Sequence, residues 1–513
     1  MISSKSIQSF LLCAAFLLPE LNSGAERPHG FFPDRQERDA LKHIYNTTYD
    51  HNPSMLSWWD YSTWSVIRTD GHITNGKLHS PIEPDGQKGL TISTESILHQ
   101  QKSGWSFSGK FEYGIDITDS LRSTLSYNKR PNGSPSMYFC IAPAQRWEIQ
   151  HYALEATASK KLGTNWSAGI QIKYVGGKQF RKTDVRNDQT SLDINIDAGA
   201  TGLFGKNMLS AGLSYERHKE KPNFSRAYNS GADWFIYLMT GLGTQLTGLE
   251  NEPSWRQNVP GIYIGWGRRG DRNRLNTRYL FSYGEDCWKN EARQSASKQS
   301  KMTKYHFIRH TISLTDILTM NCGGRMIFDG SVSFISGNNS NWNNTTKQFI
   351  DNYSVITADG NIGVRYVNSR SWFRKAGIDA NLNGENRHDK NYDSKLNDIS
   401  LDSDIFASFG LTIGKADISL DVCGGVFSWL SADYEPNAAK DGFNIYTTYI
   451  GKANEAYMNA GQWHAGTSVS VEFLAGKTLI SIGASYKYNG TSANNIYKGT
   501  KRQSGNLFLN VSF

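Results

Sequence analysis

Beyond its first 25 residues the chain has no run near the roughly 18 consecutive apolar residues a membrane helix needs, and mean hydropathy is −0.53. A helical membrane protein is excluded. Cysteine is scarce: there are 5 in 513 residues. Cys13 lies in the leader, and Cys140, Cys287, Cys322 and Cys423 lie far apart with no Cys-x-x-Cys pair, so neither a disulfide scaffold nor a zinc knot is indicated. Proline numbers only 13 and helical 3.6-residue periodicity is almost missing, yet 48 glycines and 12% aromatic residues are unlike a disordered chain. Catalytic sets are missing too. His151, His306, His310 and His464 have no serine elbow and no His-Glu-x-x-His spacing beside them. "LAGKT" ends like a phosphate-binding loop, but Val471 stands where its first glycine belongs, so a hairpin turn is expected. "RRGDR" around Gly270 reads as turn chemistry. No enzyme activity, metal or cofactor is expected.

What recurs is alternation at period 2. In "SLDINIDAGA", Leu192, Ile194, Ile196 and Ala198 take one face and Asp193, Asn195 and Asp197 the other; "AGIQIKY", "KFEYGIDI" and "DISLDV" repeat the device. Short turns (413–417, 474–478, 159–164, 202–207) interleave with long polar segments (176–189, 383–398, 336–349, 489–504). Short turns on one side and long loops on the other mark a transmembrane antiparallel β-barrel, apolar toward lipid and polar toward the lumen.

The ends agree. Residues 1–25 read as a secretory signal peptide: Lys5, the apolar "FLLCAAFLLP", then small Ser23 and Ala25. The last strand alternates Leu507, Leu509, Val511 and Phe513 on one face. This resembles the terminal signal read by the barrel-assembly machinery, and closure onto the first strand removes both its edges. Strands are expected at about 86–99, 105–117, 121–128, 147–159, 164–175, 190–201, 208–216, 260–269, 274–284, 304–314, 324–335, 358–367, 375–382, 404–413, 417–429, 464–474, 478–488 and 505–513. That is about 18, with 14 or 16 open, and the barrel is assigned to 85–513. Tyr127, Tyr174, Tyr215, Tyr283, Tyr366, Trp429 and Tyr488 are expected in interfacial girdles.

Residues 26–84 are not strand-like and carry an aromatic cluster that needs shelter, so a periplasmic plug segment inside the barrel is expected, with Asn52, Pro53, Met55, Trp58, Trp59 and Trp64 buried. "NPSML" (52–56) resembles the Asn-Pro-Ala stretch in the N-terminal plug of long-chain fatty-acid transporter-type barrels and related Bacteroidetes outer-membrane barrels, departing at Ser54. The resemblance implies a plug and no particular substrate. A separate plug domain like that of large energy-coupled receptors does not fit ahead of the barrel. Residues 217–259 contain "DWFIYLMTGLGTQLTGL", too apolar for a solvated loop, which would either constrict the lumen or pack on a neighbouring chain.

The polar faces make Glu112, Asp193, Asp197, Asp329, Asp379 and Asp421 lumen-lining candidates, with Arg122, Lys173 and Arg365 as their basic counterparts. Such mixed charge fits either a hydrated pore with a field across it or internal salt-bridging. Basic clusters at 178–182, 216–221 and 498–502 suit lipopolysaccharide phosphates; without a base-reading module, nucleic acid is not expected. The function expected is an outer-membrane channel or transporter for a small solute. The alternative is a non-conducting interaction barrel partnering an uptake, secretion or adhesion complex. Oligomeric state is open.

Overall fold

The computed structural model describes residues 52–58 and 64–512, apart from 101, 123, 127–130, 141–143, 226–235, 247–252, 291–300, 322–323, 369–371, 438–445 and 477. The expected signal peptide, Trp59, Cys322, Tyr127 and Phe513 lie outside the described residues.

Eighteen long strands form one closed antiparallel barrel: β1 (Trp64–Gly76), β2 (Gly86–Gln100), β3 (Trp105–Leu121), β4 (Gln145–Lys161), β5 (Trp166–Arg181), β6 (Arg186–Phe204), β7 (Asn207–Lys221), β8 (Pro253–Arg269), β9 (Asn273–Asn290), β10 (Lys301–Thr319), β11 (Arg325–Asn343), β12 (Gln348–Val367), β13 (Phe373–Asp389), β14 (Ser394–Ile413), β15 (Ala416–Glu435), β16 (Gln462–Ala475), β17 (Thr478–Thr491) and β18 (Lys501–Ser512). Each pairs with its chain neighbour, and β18 closes on β1 with Ile67 opposite Val511 and Gly71 opposite Leu507. Among the described residues no strand of the barrel wall has an unpaired edge.

Three expectations about the wall are corrected. Residues 121–128 are not a wall strand; beyond Leu121 the described chain leaves the wall, with one bridge from Thr124 to Phe139. The first wall strand is instead β1, within the segment expected to be plug, and Trp64 opens it. Its outward positions include Ser65, Thr69 and Gly71, so its apolar face is broken and the period-2 signal weak. The segments expected as long loops at 176–189, 336–349 and 383–398 are mostly strand. There both faces are polar, yet backbone pairing continues to Arg181, Asn343 and Asp389.

Outward positions carry an apolar belt, including exposed Ile264, Ile312, Val332, Ile362 and Ile405. Aromatic girdles bound it. Trp166 and Tyr174 face outward on β5, eight residues or about 26 Å apart along the strand; Trp166 meets Phe204 at one boundary and Tyr174 stacks on Tyr152 at the other. His306 and His310, expected at the rim or in the lumen, face outward and hydrogen-bond Tyr283 at 3.1 Å and Tyr279 at 2.8 Å. Trp429, expected in a girdle, faces inward. A closed barrel with an apolar belt of this kind is an outer-membrane spanning structure.

Candidate functional site

The lumen is the one place where polar side chains from all strands converge, and segments of the same chain close it at both ends. The periplasmic end, where the short turns lie, is closed by Pro53–Trp58, a 3-10 turn buried throughout. Its docking is a serine ladder. The Trp58 indole donates to Ser167 Oγ at 2.7 Å, and the Ser167 and Ser159 hydroxyls donate to the Ser54 carbonyl at 2.9 and 3.1 Å. Ser57 and Ser159 share a hydrogen bond of 2.6 Å, and Ser54 and Thr201 one of 2.7 Å. Tyr263 donates to Asn52 Oδ1 at 3.4 Å.

The other face of the turn is apolar. Met55, Leu56 and Trp58 pack in one cluster with Ile97, Met208, Ile327 and Val367. Ile97 is on β2 and Ile327 on β11, nine places apart round the 18-strand ring, so the cluster spans the mouth from wall to opposite wall. Gly169 makes the close approach possible: a Cβ there would stand 2.6 Å from the Pro53 carbonyl carbon and 2.7 Å from Ser54 N.

The extracellular half is filled by loops. Met137–Cys140 pairs with Ile236–Met239, which pairs with Gln245–Leu246, as a small sheet inside the barrel. Of the expected 217–259 constriction, residues 236–246 lie in the lumen, whereas 217–221 and 253–259 are wall strand. Asp389 holds the inner segment, accepting from Thr244 N at 2.8 Å and Thr244 Oγ1 at 2.7 Å, while Asn352 donates to the Thr240 carbonyl at 2.7 Å. Phe139, Met239 and Leu242 pack against Tyr305, Tyr353 and Val355 of the wall and Tyr446, Ile450 and Met458 of the loop before β16. Above it, Leu78, Ala460 and Tyr497 join three outer loops. Burial pushes the Cys140 thiol up and raises the Tyr497 hydroxyl to about 12, so both stay protonated at neutral pH.

Between floor and roof lies a charged band. Arg365 bridges Asp329 at 2.9 Å and Asp379 at 2.6 Å. Glu112 lies 2.9 Å from Lys110 and 3.5 Å from His151; Asp116 lies 2.9 Å from His72. Asp193 meets His218 at 2.8 Å. Asp197 is buried on the inner face opposite Gln171 of β5, and Lys173 takes the next inward position of that strand, opposite Asn195. Asp421 lines a cavity of about 420 Å³ against β13–β18. Arg122 is the exception: it lies past the end of β3, exposed, and takes no part in the wall. Sequence reasoning missed His72, His218, and the Glu216–Arg309 pair at 2.5 Å. The expected basic cluster at 216–221 is strand, with Glu216, His218 and Glu220 inward. Extending the alternation of "LSYERHKE" would have found these three; their partners on other strands depend on register.

A family model described as "Family of unknown function (DUF6850)" matches residues 53–513. No curated protein sequence matches the chain. Among solved structures, the chain is similar to BauA, the ferric preacinetobactin receptor from Acinetobacter baumannii, with 8% identity, coverage of 89% of this chain and 80% of that one, and a TM-score of 0.39. It is similar to the ferric citrate transporter FecA (8% identity, 88% and 78% coverage, TM-score 0.38). The outer membrane transporter YddB from Escherichia coli gives 8% identity, 87% and 80% coverage and a TM-score of 0.39.

Proposed function

Since the chain belongs to DUF6850, a family of unknown function, we propose from its own geometry that it is an outer-membrane barrel passing a small solute through a lumen held shut at rest. The observation that carries this reading is the floor. Asn52–Trp58 is docked by hydrogen bonds, apolar contact and the Lys161 ammonium over the Trp58 ring, on serines and a glycine of the wall. A filler needs no such seat; a removable plug does. An 18-strand interior is too wide for side chains alone to fill, so withdrawing the segment would uncover the charged band. The likeness of Asn52–Leu56 to the plug stretch of fatty-acid-transporter-type barrels supports the same reading of the segment and carries no substrate.

The test is conductance in planar bilayers. Because β1 begins at Trp64, the truncation must stop short of it, and because the inner segment 236–246 closes the other end, that segment is deleted from both: a mature chain so opened is compared with one that also lacks residues 26–58. A small or silent conductance in the former and a larger one in the latter is expected. Equal conductance from two folded barrels would favour the interaction-barrel reading, in which the floor is permanent and the outer loops meet a partner of an uptake, secretion or adhesion complex. On either reading, the basic outward positions near the extracellular strand ends, Arg217, Lys219 and Lys221, suit lipopolysaccharide phosphates.

A further inference from the structure

Asp402 and Asp404 stand two residues apart on the inner face of β14. Asp404 lies opposite Gly425 of β15, and Gly425 lies opposite His464 of β16. Backbones two strands apart are roughly 9–10 Å from each other, so a carboxylate and an imidazole meet there only by crossing the strand between. The missing side chain allows it: a Cβ on Gly425 would stand 2.6 Å from His464 Nε2 and 2.8 Å from its Cε1. The imidazole lies over the glycine and hydrogen-bonds Asp404, and the donor atoms of Asp402, Asp404 and His464 all lie within 4.8 Å of one another.

A histidine–aspartate pair accounts for two of these three side chains and leaves the third unexplained. Asp402 Oδ1 is buried and has no hydrogen-bond partner among the described residues, which carries the desolvation cost of an unsatisfied acceptor. A cation among the three groups would satisfy it. We propose that Asp402, Asp404 and His464 bind a divalent first-row transition-metal ion in the lumen.

The donor set defines the class. Two carboxylate oxygens and one imidazole nitrogen suit Zn²⁺, Fe²⁺ or Mn²⁺, whereas Mg²⁺ and Ca²⁺ take oxygen ligands. Oxygen and nitrogen ligands about 2.0–2.2 Å from zinc stand roughly 3–3.5 Å apart, a contraction that small rotamer changes of the two aspartates supply. Three protein ligands leave a coordination position open, as in exchangeable sites. It has room, because the next inward residues, Cys423 and Gly466, begin the cavity that continues past Asp421 and Lys487. The site does not depend on whether the barrel conducts.

The full mature chain, folded in detergent and stripped with chelator, is dialysed against Zn²⁺ in excess Mg²⁺, and Co²⁺ serves as a visible-absorption probe of the same site. About one equivalent should be retained. His464→Ala and Asp402→Asn should each lose it. His218→Ala, which breaks another inward histidine–aspartate pair, should leave it unchanged. Heat-modifiable mobility certifies each variant as folded; should His464→Ala not fold, the near-isosteric Asp402→Asn decides. Zn²⁺ retention equal in wild type and Asp402→Asn would overturn the site, and displacement by Mg²⁺ would overturn the metal class.

Discussion

At the scale of the residue, facing decides tolerance. Ile312 is 58% exposed on the outer face of β10, and Ser313 beside it points into the lumen. Ile312→Arg places a charge near the middle of the apolar belt and should cost about 2–4 kcal/mol. Ser313→Arg, reaching water and carboxylates, should cost under about 1 kcal/mol on the same reasoning. Denaturant titration of folding into lipid bilayers measures both; equal losses would mean the β10 register is wrong. The same parity rule placed Glu112, Asp193, Asp197, Asp329, Asp379 and Asp421 on polar faces from sequence alone, because each sits in a strand whose other face is uniformly apolar. It could not place Arg122, which follows the last paired residue of its strand.

Among elements, the floor depends on one position without a side chain. Gly169 already forms its ladder pairs with Ser159 and Gly199, so Gly169→Ala leaves the wall intact. Its Cβ would, however, meet plug backbone at 2.6 to 2.7 Å, closer than packing allows. The plug, tied by hydrogen bonds worth about 0.5–1.5 kcal/mol each, should yield before the strand does. The expected outcome is a folded barrel with raised conductance once the inner segment 236–246 is also deleted, and protease cleavage near Trp58 that the parent resists. Unchanged conductance and resistance together would show that the turn tolerates the methyl group and that Gly169 is not its seat.

For the whole molecule, closure is the defining event, and it falls to β18. That strand pairs with β17 on one side and β1 on the other, presenting Leu507 and Leu509 outward and Asn506 inward. We read Leu507, Leu509 and Val511, with Phe513 beyond the described residues, as the address for the assembly machinery. Leu509→Asp should lower the yield of heat-modifiable outer-membrane protein while export continues, whereas Asn506→Asp on the lumen face should assemble normally. Equal yields would remove the assignment.

The sequence by itself determined the class of fold, the number of strands to within a few, and which face of most strands meets lipid. Hydrocarbon accepts no polar side chain cheaply, so each crossing writes a period-2 pattern into the chain. The pattern fades where lipid ends. The polar extensions beyond Val175, Ile335 and Leu382 therefore read as loops although backbone hydrogen bonds carry them on as strands. It fades also where a strand is apolar at few outward positions, which hid β1 behind Trp64, while "LRSTLSYN" alternated without joining the wall; the count came out near 18 through one strand missed and one supplied. Only the tertiary structure decided what meets inside. Whether Arg365 reaches Asp329, Ser159 holds Ser57, or His464 crosses Gly425 to Asp404 depends on register between strands distant in sequence and on glycines that open the approach, and no local pattern records either.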